Sequence, residues 1–251
     1  MDYQTYYQQF QEEKRFLSQA LSIEHWMTMQ IIMELPLKKG MKILEVGAGC
    51  GAYSTTLAKL GYEVVAIEPV RRNVKVLKEQ ARDLPITVIH ADHQALQHFE
   101  DGQFDVVLCL GPMYHLHEQS QQELCLKEAW RVCRCALLCA FVNEEAVFVS
   151  EALYQANQSM LLSEDYEREN MQIKDGVFVF FDPSEITALY QRLGISNDHL
   201  YAVDPFSEVK YDVINAFTDA QLDEWKRYIW KHRENPHYYG ASNHLLMMSL
   251  K

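Results

Sequence analysis

A short apolar run carrying an acid, Lys42-Ile43-Leu44-Glu45-Val46, breaks at once into three alternating glycines, Gly47-Ala48-Gly49-Cys50-Gly51. Nothing else in the chain constrains its fold as tightly. The run reads as a buried strand, and Ala52 to Leu60 resumes with helical spacing. Glycine lets the backbone turn sharply and approach a ligand closely. At a strand-to-helix junction it also leaves the N–H groups of the first helical turn facing an open crevice. A βα unit with a ligand crevice at its turn follows.

The same letters satisfy two patterns. Gly47-x-Gly49-x-x-Ala52 fits the dinucleotide fingerprint, a weak signal alone. Glu45-x-Gly47-x-Gly49-x-Gly51 is the E-x-G-x-G-x-G pattern of class I S-adenosylmethionine-dependent methyltransferases, and the chain resembles that family, in its small-molecule, bacterial-like form. The resemblance covers residues 40 to 142 well and 177 to 251 more loosely. An acid beside a pyrophosphate would repel it, so Glu45 favours the second pattern.

Strand and helix alternate along the chain, which predicts an α/β fold with a doubly wound, mostly parallel sheet. Expected strands are 42–46, EVVAIEP ending at Glu68, ITVIHAD ending near Asp92, FDVVLCLGP, VCRCALLCAFV, HLYAVDP and HLLMMSLK. The helices between them are 70–82, 119–131 and one that starts at the capping box Asp182-Pro183-Ser184-Glu185. The resemblance implies seven strands in the order 3-2-1-4-5-7-6, the last antiparallel, in a Rossmann-like methyltransferase fold. One domain, 1–251, is expected. Its parts are N-terminal helices (1–40), a cofactor-binding core (41–142), cap insertions (143–176 and 206–243), and a C-terminal part of the sheet (177–205 and 244–251). In 1–40, two helices are expected, with Ser22 as an N-cap; the 143–176 insertion reads as helical and VFVFF as a return to the sheet.

Site residues follow from strand ends. Glu68 closes the second strand, 21 residues after Gly47, where a carboxylate accepts ribose hydroxyls, and Pro69 follows it. The resemblance implies that Asp92 and the backbone of His93 hold adenine. It also implies that Glu45, with Leu110-Gly111, holds the methionine end, beside Gly47, Ala48, Gly49 and Gly51. The bland alternative for Asp92 is a helix N-cap. At the exit of the fourth strand the resembled family places its reacting groups, here Gly111-Pro112-Met113-Tyr114-His115-Leu116-His117. No side-chain acceptor stands at Gly111, which argues against methylation of a base amino group. No carboxylate cluster stands there for a catechol-type metal site. His115 is the candidate base, with Tyr114, His117, Tyr6 and Tyr7 as candidate substrate contacts.

Charge narrows the partners. With 23 Lys and Arg against 35 Asp and Glu the net charge is −12, which repels phosphate backbones, so no nucleic acid partner is expected. No apolar run reaches membrane-spanning length and the N-terminus carries no apolar signal core, so a cytoplasmic protein without membrane contact is expected. The six cysteines form no CxxC pair, and Cys133, Cys135 and Cys139 are expected to share one face of a strand, so no metal site is expected. The expected function is methyl transfer from S-adenosylmethionine to an O, N or S atom of a small molecule, with S-adenosylhomocysteine released. A nicotinamide-dependent oxidoreductase and a non-catalytic S-adenosylmethionine-binding protein are the alternatives.

Overall fold

The computed structural model describes residues 3–153 and 160–251. In chain order the strands are β1 (Lys42–Val46), β2 (Glu63–Glu68), β3 (Ile86–His90), β4 (Phe104–Cys109), β5 (Cys133–Asn143), β6 (Tyr166–Glu167), β7 (Gln172–Ile173), β8 (Phe180–Phe181), β9 (His199–Ala202) and β10 (His244–Leu250). The α-helices are α1 (Tyr3–Gln9), α2 (Gln19–Glu34), α3 (Ala52–Lys59), α4 (Arg71–Gln80), α5 (Gln119–Val132), α6 (Glu144–Leu153), α7 (Pro183–Leu193), α8 (Tyr211–Asn215) and α9 (Asp219–Lys231).

The main sheet runs β3-β2-β1-β4-β5-β10-β9, the order expected, with β10 antiparallel to both neighbours. The short β8 adds an eighth strand beside the end of β5. Because side chains alternate along a strand, each strand feeds two cores. Ile43, Val106 and Leu138 pack on one face with Ile23, Met27 and Leu57 of α2 and α3; Leu44, Val107 and Leu137 pack on the other with Leu126 and Ile186 of α5 and α7. Covered on both faces, the strands can be buried throughout, as β4 is, where the acid Asp105 is paired with Arg134.

Several expectations fail locally, each for a visible reason. Ser22 is not an N-cap: Ser18 holds that place, accepting the Leu21 N–H, and the Ser22 hydroxyl donates to the Gln19 carbonyl inside α2. VFVFF contributes only Phe180 and Phe181 to the sheet, because Val177 and Val179 use backbone groups to brace the turn after β4. Among the described residues, the 143–176 insertion is helical at α6 and in the 3₁₀ turn Met160–Leu162, and β6 and β7 form a short hairpin; residues 154–159 of it lie outside the described residues. Cys135 does not share a buried face with Cys133 and Cys139. The pairing of β5 with β4 shifts register between Phe104 and Val106, and this irregularity leaves Arg134 and Cys135 exposed.

Candidate functional site

The glycine turn after β1 sits between the ends of β2 and β4, and a cavity of about 310 Å³ runs along it. Gly47 and Gly111, which follow β1 and β4, touch through their backbones. A Cβ on Gly47 would lie 3.0 Å from Gly111 Cα and 3.0 Å from Pro112 Cδ, and one on Gly111 would lie 3.0 Å from the Gly47 carbonyl oxygen. Gly111 is therefore glycine because two turns share one floor, a reason invisible from its own neighbours in sequence. Gly51 does not line the cavity. It caps α3 with φ +89, and a Cβ there would meet Leu77 Cδ1 at 2.2 Å.

Glu68 is 4% exposed at the end of β2. Its Oε2 accepts the Gly49 N–H at 2.8 Å, and its Oε1 accepts the Val70 N–H at 2.8 Å and the Asn73 amide at 3.4 Å. Burial pushes its carboxyl up to about 7 in spite of those donors. Glu45, 1% exposed, accepts the Ser54 hydroxyl from α3, and burial pushes it up to about 8. Both line the cavity, as do Ala48, Pro69, Asp92, His93 and Leu110. Asp92 is exposed and caps the 3₁₀ turn His93–His98 by accepting the Gln94 N–H at 2.9 Å, while His93 is hydrogen-bonded to Gln121.

At the other end a single 3₁₀ turn, Met113–His115, presents Tyr114 and His115. The Tyr114 hydroxyl donates to the Leu110 carbonyl at 2.6 Å, and its carbonyl accepts the Val179 N–H at 2.8 Å. His115 Nδ1 lies 2.9 Å from the Val177 carbonyl, which can only accept, so Nδ1 carries the proton. Nε2 is then free to accept from the Tyr7 hydroxyl at 3.3 Å. Burial lowers the His115 imidazole to about 4, so it is neutral at neutral pH with a lone pair at Nε2. Tyr3 stacks on the ring at 5.4 Å.

Tyr7, Tyr114 and His115 thus meet at the cavity, but two expected contacts do not. Tyr6 packs on Phe10 and Phe178 and is absent from the lining, and His117 is exposed past the turn and equally absent from it. The lining also holds groups that sequence reasoning missed: Glu12, Glu13, Arg15, Phe16, Glu24, His25 and Tyr53. The Glu12-x-x-Arg15 spacing was the one available signal, since residues three apart can pair on a helical turn. Arg15 donates to Glu24 at 2.6 Å and lies 3.1 Å from His244 Nε2; His244 Nδ1 in turn lies 2.7 Å from Asp204. Burial alone would lower the His244 imidazole, but the carboxylates of Glu24 and Asp204 hold it above its ordinary value. Glu24, Asp204 and His244 have the donor set of a cation site, but the Arg15 guanidinium already lies against two of them.

Residues 44–136 match the family model described as a methyltransferase domain. Two curated relatives are ubiquinone biosynthesis O-methyltransferases. That from Roseobacter denitrificans is 35% identical over 80 residues, 31% of this chain and 32% of its own length, and that from Azorhizobium caulinodans is 33% identical over 79 residues, 31% of each. The chain therefore matches about a third of those relatives' length. Magnesium protoporphyrin IX methyltransferase from Synechocystis PCC 6803, solved with bound SAH, superposes with a TM-score of 0.55 at 11% identity over 92% of this chain and 81% of that one. A SAM-dependent methyltransferase from Methanosarcina mazei gives 0.57 at 15% identity over 88% and 96%. Such identities speak for the fold alone. Among the described residues no helix is long and apolar enough to cross a membrane. From strand order, glycine turn and domain match together, the chain carries a methyltransferase domain on the class I S-adenosylmethionine-dependent methyltransferase fold.

Proposed function

We propose that this protein is an S-adenosylmethionine-dependent methyltransferase acting on a small molecule in the cytoplasm, as a single domain in which the N-terminal segment, and not the insertions 143–176 and 206–243, lines the acceptor side. The observation that carries this reading is one continuous cavity that passes from Asp92 over Glu68 and the Gly47–Gly49 floor to His115. Its residues fit the cofactor. Glu68 retains lone pairs for ribose hydroxyls beyond the donors it already holds, Asp92 and His93 stand where adenine would lie, and Glu45, Leu110 and Gly111 stand at the methionine end. Six carboxyl side chains and one guanidinium line the cavity, a balance that suits a cationic sulfonium better than a pyrophosphate and disfavours the nicotinamide alternative.

The cofactor supplies an electrophilic methyl group for in-line displacement by the acceptor atom. This chain's residues align the acceptor and exclude water. The cavity walls at Tyr3, Tyr7 and Tyr114 do both. His115 Nε2, neutral and unprotonated, takes a proton from a hydroxyl acceptor as the new bond forms, or from an ammonium acceptor before its freed nitrogen lone pair attacks, and Nδ1 keeps its bond to the Val177 carbonyl throughout. A neutral imidazole at the cavity wall, its Nε2 3.3 Å from the Tyr7 hydroxyl, serves catalysis and has no use in a sensor.

Thermal unfolding with S-adenosylmethionine, S-adenosylhomocysteine and reduced nicotinamides, side by side, tests the reading. A ligand at a hundred times its Kd adds about 2.7 kcal/mol, hence about 5 to 11 °C for a chain of this size. A shift with the sulfonium and its product alone is expected. A shift with the nicotinamides alone would overturn it.

A further inference from the structure

Two neighbouring acids of the N-terminal segment have opposite fates. Glu13 is fully satisfied, since its two oxygens receive both terminal nitrogens of Arg72, at 2.8 and 2.9 Å. Glu12 is not. Its Oε2 is buried with no hydrogen-bond partner. Arg15 approaches only its Oε1, at 3.7 Å, and the NH2 of that guanidinium is committed to Glu24 at 2.6 Å. A buried carboxylate oxygen left without a donor costs free energy that some partner must offset.

The place of this oxygen says what the partner is. Glu12 lies against Gly49: a Cβ built on Gly49 would be 3.3 Å from Glu12 Cγ and 3.6 Å from its Oε1. The N–H of that same Gly49 donates to Glu68 Oε2. Glu12 and Glu68 therefore approach Gly49 from two sides, one from the N-terminal segment and one from the sheet, and both line the cavity. Two carboxylates facing one space repel each other unless donors lie between them. An anion is excluded there. A vicinal diol offers two O–H donors, one for each carboxylate, and no charge.

We infer that Glu12 is a second ribose-binding carboxylate, bracketing the sugar opposite Glu68 and accepting a hydroxyl through its unpaired Oε2. The inference rests on the nucleoside cofactor proposed above and adds to it a group outside the glycine motif. Binding of the sugar and seating of the N-terminal segment over the cavity then become one event, because the segment supplies half of the diol site.

Titration calorimetry on the full chain and on Glu12→Ala and Glu12→Gln tests this with two probes. S-adenosylhomocysteine carries adenosine and an amino-acid end; 5′-methylthioadenosine keeps the adenosine and lacks the amino-acid end. A lost charge-assisted hydrogen bond predicts that Glu12→Ala weakens both probes alike, by about 10- to 100-fold. Glu12→Gln keeps the shape and a neutral acceptor, so it loses less, and it stands in if Glu12→Ala fails to fold by circular dichroism. Weakening of S-adenosylhomocysteine alone would overturn the inference and assign Glu12 to the amino-acid end. Unchanged or tighter binding would also overturn it, the side chain then being an obstruction. If the unaltered protein binds neither probe, the cofactor reading itself fails, a result distinct from both.

Discussion

The two ends of the cavity are built by different means. At the end proposed for the nucleoside the cavity surface is backbone and strand-end acids: the Gly47–Gly49 turn, Glu68 with its three donors, and Asp92, all drawn from consecutive βα units. At the end proposed for the acceptor it is side chain on side chain. Tyr3 and Tyr7 come from α1, His115 from the turn after β4, and the carbonyl that orients His115 from Val177, 62 residues further on. A backbone site tolerates little change of shape and is specified by local order. A side-chain site is free to vary, and its meaning exists only once distant segments have met.

The contrast can be broken by exchanging the expected consequences. His115→Gln should lower methyl transfer to an identified acceptor by about 10²- to 10⁴-fold, the usual worth of a positioned base, while S-adenosylhomocysteine binds within about twofold. Equal loss of both would mean that the two ends are not separable. Gly47→Ala, at φ +78 and against the Gly111 backbone, should destabilise by about 2 to 5 kcal/mol from backbone strain and crowding together, with S-adenosylhomocysteine affinity reduced about a hundredfold. Thermal melts and calorimetry on one preparation read both.

Glu68→Gln should weaken S-adenosylhomocysteine about 30-fold through the lost charge-assisted bonds. In the unaltered protein affinity should fall about tenfold for each pH unit below 7, because Glu68 must give up its proton to serve as a full acceptor. Stability without ligand should run the other way. Glu68 and Glu45 titrate at about 7 and 8 in the folded protein, above the usual carboxylate value of about 4.5. Between those limits the folded state holds protons that the unfolded chain has released, so melting temperature falls as pH rises from about 5 to 8. A flat pH profile of both quantities would remove the buried carboxylates from the account. The smallest effect belongs to Arg72→Ala, which frees Glu13 from a surface pair worth about 0.2 to 1 kcal/mol. It should speed S-adenosylhomocysteine release by up to about fivefold in stopped-flow displacement.

The same contrast explains what was legible. The strand order, the Asp182 capping box, the glycine turn and Glu68 are readable because each is a local signal repeated at βα spacing. Tyr6 and Tyr7 could not be told apart in the same way. They are adjacent on a short helix with no buried residues, and only the packing of Tyr6 on Phe10 and Phe178 turns it from the cavity. Glu12, Arg15 and Glu24 were missed because their significance depends on where the N-terminal segment lands on the sheet. The Cys135 error has a third source: strand alternation was carried through a register shift that no pattern in VCRCALLCAFV announces.

The bond network at His244 bears on the order of events during synthesis. Arg15 rests against His244, the first residue of β10, and His244 is held in turn by Asp204. The ribosome delivers the glycine turn and the strands around it long before β10 emerges. Until it does, the segment that bears Glu12 and Tyr7 lacks this anchor, and a nascent chain with a formed nucleoside crevice would still have an unfastened acceptor side.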